Sequence, residues 1–313
     1  MRLHEDKDVF KLIIDRVSSL SGINKDILEK DYYVTLLLEE LSKKDNQGYA
    51  YFKGGTALYK CLHSIRRFSE DIDLTVDISS CPSKTQQRKR LKDSAKKFTC
   101  LGEGKVEEDN NGSITVSYYY DSLFDINLDD QLQRYGKVKI ESTSFTVSEP
   151  VYLMEIAPSI YELSSEKDKI LLDKYYDVKP FNIGTIKLER IFVDKIFATQ
   201  FYFEREMYFD VAKHTYDLTV LMDNEIIVEF LNNKERFEEI VKLKRIEEEI
   251  RLGGVDKKLE IVDFAFFDNL ESNNKFIEEF QRMQKMYVFN NNDRFEIFKV
   301  FNALKELKKI ISK

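Results

Sequence analysis

The stretch Phe52–Val76, FKGGTALYKCLHSIRRFSEDIDLTV, constrains this chain more than any other. GYAYFKGG reads as a short strand, since aromatic and apolar residues run into a double glycine that permits a tight turn and close backbone approach. TALYKCLHSI then has helical spacing, and IDLTVDI alternates apolar with polar residues as a half-buried strand does. The unit is strand, glycine turn, helix, strand. A strand period of two puts Asp71 and Asp73 on one face and Ile72 and Leu74 on the other. Like charges so close repel, and a hard cation with oxygen ligands, magnesium first, offsets that cost. The helix after Gly54-Gly55-Thr56 has free backbone N–H groups and a dipole that favour an anion; glycine lets phosphate oxygens approach, and the Thr56 hydroxyl adds a donor. Polyphosphate on the turn and metal on the carboxylates is the division of labour of phosphoryl and nucleotidyl transfer. A lone D-x-D is most often a solvated strand face and a lone G-G-T just a turn; their ordered combination carries the reading.

Two amphipathic helices precede this unit, around VFKLIIDRVSSL and DILEKDYYVTLLLEEL. After it, QQRKRLKDSAKKF from Gln86 to Phe98 is a basic helix, and SITVSYYYDS, GKVKIESTSFTV and VYLMEIA are β-prone runs that complete one mixed sheet. From about Thr185 the pattern is helical to the end. With 313 residues, 42% of them hydrophobic, the chain is long enough for one large domain or two ordinary ones. No apolar run approaches a membrane span and MRLHEDKDVF lacks a signal-peptide stretch, so the expected location is the cytoplasm. Cys61, Cys81 and Cys100 are too scattered for a disulfide framework or a C-x-x-C metal site and read as buried small hydrophobes. The net charge of -7 argues against a general nucleic-acid coat protein but leaves room for a local basic patch; for the Gln86–Phe98 helix a solvated face is the preferred reading.

The glycine turn with Thr, helix and acidic strand resemble the nucleotidyltransferase superfamily typified by DNA polymerase beta. More closely, GGTALYKCLHSIRRFSEDIDL looks like the AbiEii/AbiGii toxin family of bacterial nucleotidyltransferases, found in abortive-infection toxin–antitoxin systems. EKDYYVTLLLEEL at Glu29–Leu41 and the stretch from FVDKIFA to AKHTYDL also match, so the resemblance spans about the first 220 residues, and the tail beyond Leu221 rests on fold analogy. It implies a mixed α/β, α+β class fold: a polymerase-beta-like core with N-terminal helices in residues 1–180, and a helical domain in residues 181–313 completing the nucleotide cleft.

Carried over residue by residue, the resemblance implies that Gly54, Gly55 and Thr56 contact triphosphate and that Asp71 and Asp73 bind metal. Lys195 in VDKIFA aligns with a lysine expected to meet nucleotide phosphates. Asp217 in KHTYDL aligns with a later aspartate that orients groups or assists proton transfer; Lys213 and His214 beside it are weaker candidates for phosphate or RNA contact. Two metals are better held by three carboxylates, and Glu155 in VYLMEIA is the expected third, with Asp125 and Asp129 as competitors. The implied cofactor is two Mg²⁺ ions, with Mn²⁺ as the alternative, and the substrate a nucleoside triphosphate. The implied acceptor is RNA, the 3′ end of tRNA in particular, with a cognate antitoxin as partner and growth arrest as the outcome. The alternatives are a protein or small-molecule acceptor, or a non-catalytic nucleotide-binding regulator.

Without the family, Lys195 reads as one more solvated helical lysine. Arg66 and Arg67 could balance the carboxylates, bind phosphate or pair at the surface. His4, His63 and His214 lack zinc spacing, and the aromatic clusters near Tyr118 and Tyr202 read as core rather than base-stacking platforms.

Overall fold

Phe10, Ile13, Ile14 and Val17 give α1 (Lys7–Ser21) a single buried stripe; Asp6 starts it by accepting the Val9 N–H, and left-handed Gly22 ends it. The next helix, α2 (Lys25–Lys43), differs in kind, because every residue from Ile27 to Glu39 is buried, charged ones included. A helix covered on all sides is a central packing element, not a surface one. The computed structural model describes residues 1–43, 49–62, 66–124, 136–144, 151–250 and 253–313. The expected Asp125, Asp129 and His63 lie outside the described residues.

The chain divides into two compact units, the first running through Thr185 and the second taking Arg66, Arg67 and Ile186–Lys313. In the first, β1 (Ala50–Lys53) enters α3 (Gly54–Leu62), which returns as β2 (Ile72–Val76). Next come α4 (Lys84–Lys96), β3 (Lys105–Asn110), β4 (Ser113–Tyr119), β5 (Lys137–Thr143), β6 (Val151–Ile156), α5 (Ser159–Glu162), α6 (Glu166–Tyr176) and β7 (Phe181–Ile186). Among the described residues they form a seven-stranded sheet in the order β3-β4-β5-β2-β1-β7-β6. It is mixed: β1 is antiparallel to β2 and parallel to β7, β2 is parallel to β5, and β3, β4 and β5 are antiparallel neighbours. The mixed α/β class read from the sequence is what the structure has. Two strands went unread there: β3, a polar edge strand exposed along its length, and β7, which is short and interrupted by Gly184.

The second unit is helical: α7 (Leu188–Phe203), α8 (Tyr208–Leu221), α9 (Glu225–Asn232), α10 (Lys234–Ile250), α11 (Phe266–Asn269), α12 (Asn274–Tyr287) and α13 (Ile297–Ile311). α8 is its hub, packed against α7, α12 and α13. Among the described residues no helix is long and apolar enough to cross a membrane.

Candidate active site

The glycine turn, α3 and β2 form one local assembly in the first unit. Gly54 opens α3 with φ +81°, a left-handed conformation, and a Cβ there would stand 1.9 Å from Asp73 Oδ2. Glycine is thus required twice over, by the backbone and by the carboxylate in the space a side chain would take. Gly54→Ala is expected to cost about 2 kcal/mol or more from the left-handed backbone and the displaced Asp73, and to abolish stabilisation by added triphosphate; thermal unfolding with and without nucleotide checks both.

Thr56 is fully buried, and its hydroxyl donates to the Asp71 carbonyl oxygen and lies 3.0 Å from Ser69 Oγ. Its observed work is to fasten the loop that enters β2, where the sequence suggested an open phosphate donor. Asp71 sits just before the strand and Asp73 within it, paired in register with Lys53 on β1 and with Glu141 on β5.

Glu141 is the acid that sequence reasoning missed. Its half-buried carboxyl is pushed up to about 7, first by burial and then by the negative charges of Asp73 and Asp71, with Lys139 and Lys53 opposing. In KVKIEST, Val138, Ile140 and Ser142 are buried while Lys137, Lys139, Glu141 and Thr143 alternate with them, so Glu141 was visible as a residue of the other face. Which strand lay beside it was not. Glu155 is on β6 at the sheet edge, exposed, with β1 and β7 between it and β2. At strand spacing that is roughly 14 Å. The structure does not bring it to the aspartates and puts Glu141 there instead. Among the described residues no His, Cys, Asp or Glu group is closed up as a ready-made metal shell. A half-buried carboxyl whose proton affinity is raised by two neighbouring aspartates is nonetheless an environment that a divalent cation relieves.

The other predicted residues meet in the second unit. Asp217 on α8 has no exposure; Arg67 Nε and Nη2 each donate to it at 2.6 Å, and Lys195 Nζ on α7 lies 3.0 Å away. Burial alone would raise the Asp217 carboxyl, but the two cations hold it below its usual value. An acid that keeps its charge with both oxygens engaged is a poor general base, which needs a proton affinity near the working pH. Lys195 is itself buried, so the solvated-lysine reading fails. Of the two arginines, Arg66 is exposed and Arg67 is the buried partner of Asp217. His214 stacks on Tyr202 with ring centroids 5.3 Å apart, and burial with Lys195, Arg67 and Lys213 nearby drives its basicity far down. A neutral imidazole makes no charged phosphate contact.

The basic helix spends its charge on the chain's own acids: Lys92 and Arg88 meet Asp109, Lys89 and Lys97 meet Asp93, and Arg90 bonds Asp77 O and stacks on Tyr49. That is the pattern of a solvated face. Cys61 and Cys81 are buried and Cys100 half-buried, with burial pushing the Cys61 thiol up to about 11.

MenT4, a nucleotidyltransferase toxin from Mycobacterium tuberculosis H37Rv, is similar over 96% of this chain and 89% of its own, with 14% identity and a TM-score of 0.58, a likeness of fold. JHP933 from Helicobacter pylori aligns over 93% of this chain and 95% of its own at 14% identity and a TM-score of 0.47. No curated protein matches the sequence. A model of the family described as nucleotidyl transferase AbiEii toxin, type IV toxin–antitoxin system, matches residues 36–305, taking in the helical tail and leaving out the first half of the Glu29–Leu41 segment. The chain belongs to the AbiEii family of nucleotidyl transferase toxins of type IV toxin–antitoxin systems.

Proposed function

We propose that this toxin moves a nucleotidyl group from a nucleoside triphosphate to a hydroxyl of an RNA acceptor, the 3′ end of tRNA being the first candidate, and releases pyrophosphate. The observation that carries the reading is Glu141, whose carboxyl lies across from Asp73 and is pushed up to about 7. Asp71, Asp73 and Glu141 are the residues that would hold divalent cations, Mg²⁺ first and Mn²⁺ as the alternative. Bound there, such ions would offset charge on the transferring phosphate and the leaving pyrophosphate. The chain supplies the rest. The N–H groups opening α3 at Gly54, Gly55 and Thr56 would meet the triphosphate, and Gly54 leaves room for Asp73. Lys195 is the cation for the nucleotide phosphates, and Asp217, clamped by Arg67, positions it instead of moving protons. The toxin acts in the cytoplasm, arrests growth, and is restrained by a cognate antitoxin.

A protein or small-molecule acceptor is the second reading, favoured by the net charge of -7 and by a basic helix in which Arg88, Lys89, Lys92 and the adjoining Lys97 are already paired. Both are tested by incubating the protein with each α-³²P-labelled triphosphate, Mg²⁺ and total cellular RNA, beside the Asp71→Ala/Asp73→Ala double variant. Label in RNA with the wild type alone is the expected result. Label in protein or a small product moves the acceptor to the second reading, and no transfer despite nucleotide binding overturns both.

A further inference from the structure

Two parts of the site lie at the ends of their elements: Asp71 is just outside β2, and α3 begins at a left-handed glycine. What braces them is α2. Glu29, Lys30 and Asp31 are consecutive on that helix, all charged and each only 1% exposed. Successive helical residues project about 100° apart, so the three heads leave α2 toward three different segments. Lys30 Nζ is 3.8 Å from Glu70 Oε2, the carboxylate of the residue before Asp71. Asp31 is surrounded: Oδ1 takes Lys60 Nζ and the Tyr59 hydroxyl, both at 2.5 Å, and Oδ2 accepts the Ser159 N–H at 2.6 Å. Lys60 also donates to the Ala157 carbonyl at 2.9 Å. Tyr59 and Lys60 belong to the last turns of α3, whose first turn is Gly54–Thr56. Glu29 accepts the Leu123 N–H at 2.7 Å and the Ser122 hydroxyl at 2.6 Å, fixing the chain after β4.

Three buried charges side by side stabilise little, since apolar side chains of similar volume would fill the same space as well or better. What charged heads add is direction, because each accepts only a few partners at fixed geometry. We propose that Glu29-Lys30-Asp31 is the positioning triplet of the nucleotide site: Lys30 sets the Glu70-Asp71 entry to β2, and Asp31 sets the α3 helix that presents Gly54–Thr56. The triplet precedes Leu36, where the family match begins. The inference deepens the nucleotidyl-transfer reading and rests on it for the identity of the ligand. The three residues touch no reacting group; they act through Glu70, Tyr59, Lys60 and Leu123.

The test compares full-length wild type with Lys30→Met, Asp31→Asn and the same-helix control Thr35→Val, whose buried hydroxyl bonds the Asp31 carbonyl of its own helix. Each is measured by amide hydrogen exchange and by titration with MgATP and the other magnesium triphosphates. Lys30→Met is expected to speed exchange about tenfold at residues 68–73 and Asp31→Asn at residues 54–60, while Thr35→Val leaves both segments at wild-type rates. Triphosphate affinity is expected to fall about 10- to 100-fold in the first two variants and to hold in the control, as when partners behind a ligating residue are removed. Exchange rising evenly along all three chains, or unchanged at both segments, overturns the proposal. If Asp31→Asn does not fold, Tyr59→Phe removes one hydroxyl from the same carboxylate and is expected to shift residues 54–60 in the same direction. Wild type that binds no triphosphate refutes the nucleotide reading, while the exchange contrast still decides the brace.

Discussion

Asp73→Asn is expected to lower nucleotidyl transfer by about a thousandfold or more, because a metal-holding carboxylate supplies several kcal/mol of charge stabilisation in the transition state, and yet to make the apo protein more stable near neutral pH. Asp73 and Asp71 together raise the Glu141 carboxyl, after burial itself, to about 7 from an ordinary 4.5. Below pH 4.5 that group is protonated folded or unfolded and costs nothing. Between 4.5 and 7 the folded chain keeps a proton that the unfolded chain has released, so stability falls as pH rises. Above 7 the full penalty is carried, about 3 kcal/mol for a shift of this size. Thermal unfolding of the metal-free protein from pH 5 to 8 should show this decline, and Mg²⁺ or Mn²⁺ should restore stability increasingly toward the alkaline end. Asp73→Asn removes one of the charges behind the shift, so its curve should be flatter and its response to metal smaller. A wild-type curve that rises across this range, or a metal response independent of pH, would count against Asp71, Asp73 and Glu141 as a cation site.

The second large effect runs the other way in stability. Asp217→Asn leaves Arg67 and Lys195 buried with no anion between them, and breaking a buried pair from one side costs about 3–5 kcal/mol. For a chain of this size that is roughly 10 °C in Tm. Lys195→Met should be far milder in stability, because Asp217 keeps both short bonds from Arg67. It should lose transfer as fully as Asp217→Asn does. Measuring Tm and initial rates for the two variants side by side separates a clamp from a general base. If Asp217→Asn kept its Tm and lost only a basic limb of the pH–rate profile, proton transfer would be the better role.

Legibility followed the distance over which each feature is decided. β1, the glycine turn, α3 and β2 were readable because their signals are local: aromatic alternation, a double glycine, helical spacing, then alternation again. The mixed sheet was readable as a class, but its strand order was not, and the third carboxylate depends on that order alone. VYLMEIA and GKVKIESTSFTV both read as strands carrying an acid; only the parallel pairing of β5 on β2 puts Glu141 against Asp73 and leaves Glu155 at the edge. Lys195 and Asp217 could be named from a family pattern, but their ion pair and the arrival of Arg67 depend on how α7 and α8 pack. Thr56 was identified as a site residue, and its role changed because its hydroxyl turns to the backbone of Asp71. The segment DILEKDYYVTLLLEEL read as an amphipathic helix, and nothing local signals that α2 is covered on every side, with Glu29, Lys30 and Asp31 buried too.

The close approach of Gly54 to Asp73 also bears on how chains of this kind can change over time. The two residues belong to segments that look like separate motifs, yet they occupy one volume: any side chain at position 54 must evict the carboxylate, and a displaced carboxylate removes one of the two reasons for a glycine, leaving only the left-handed backbone. A first substitution at either place therefore relaxes the constraint on the other, and the pair should erode together. In a collection of related chains, joint loss of glycine and aspartate would mark the members that have abandoned catalysis more sharply than either residue scored alone.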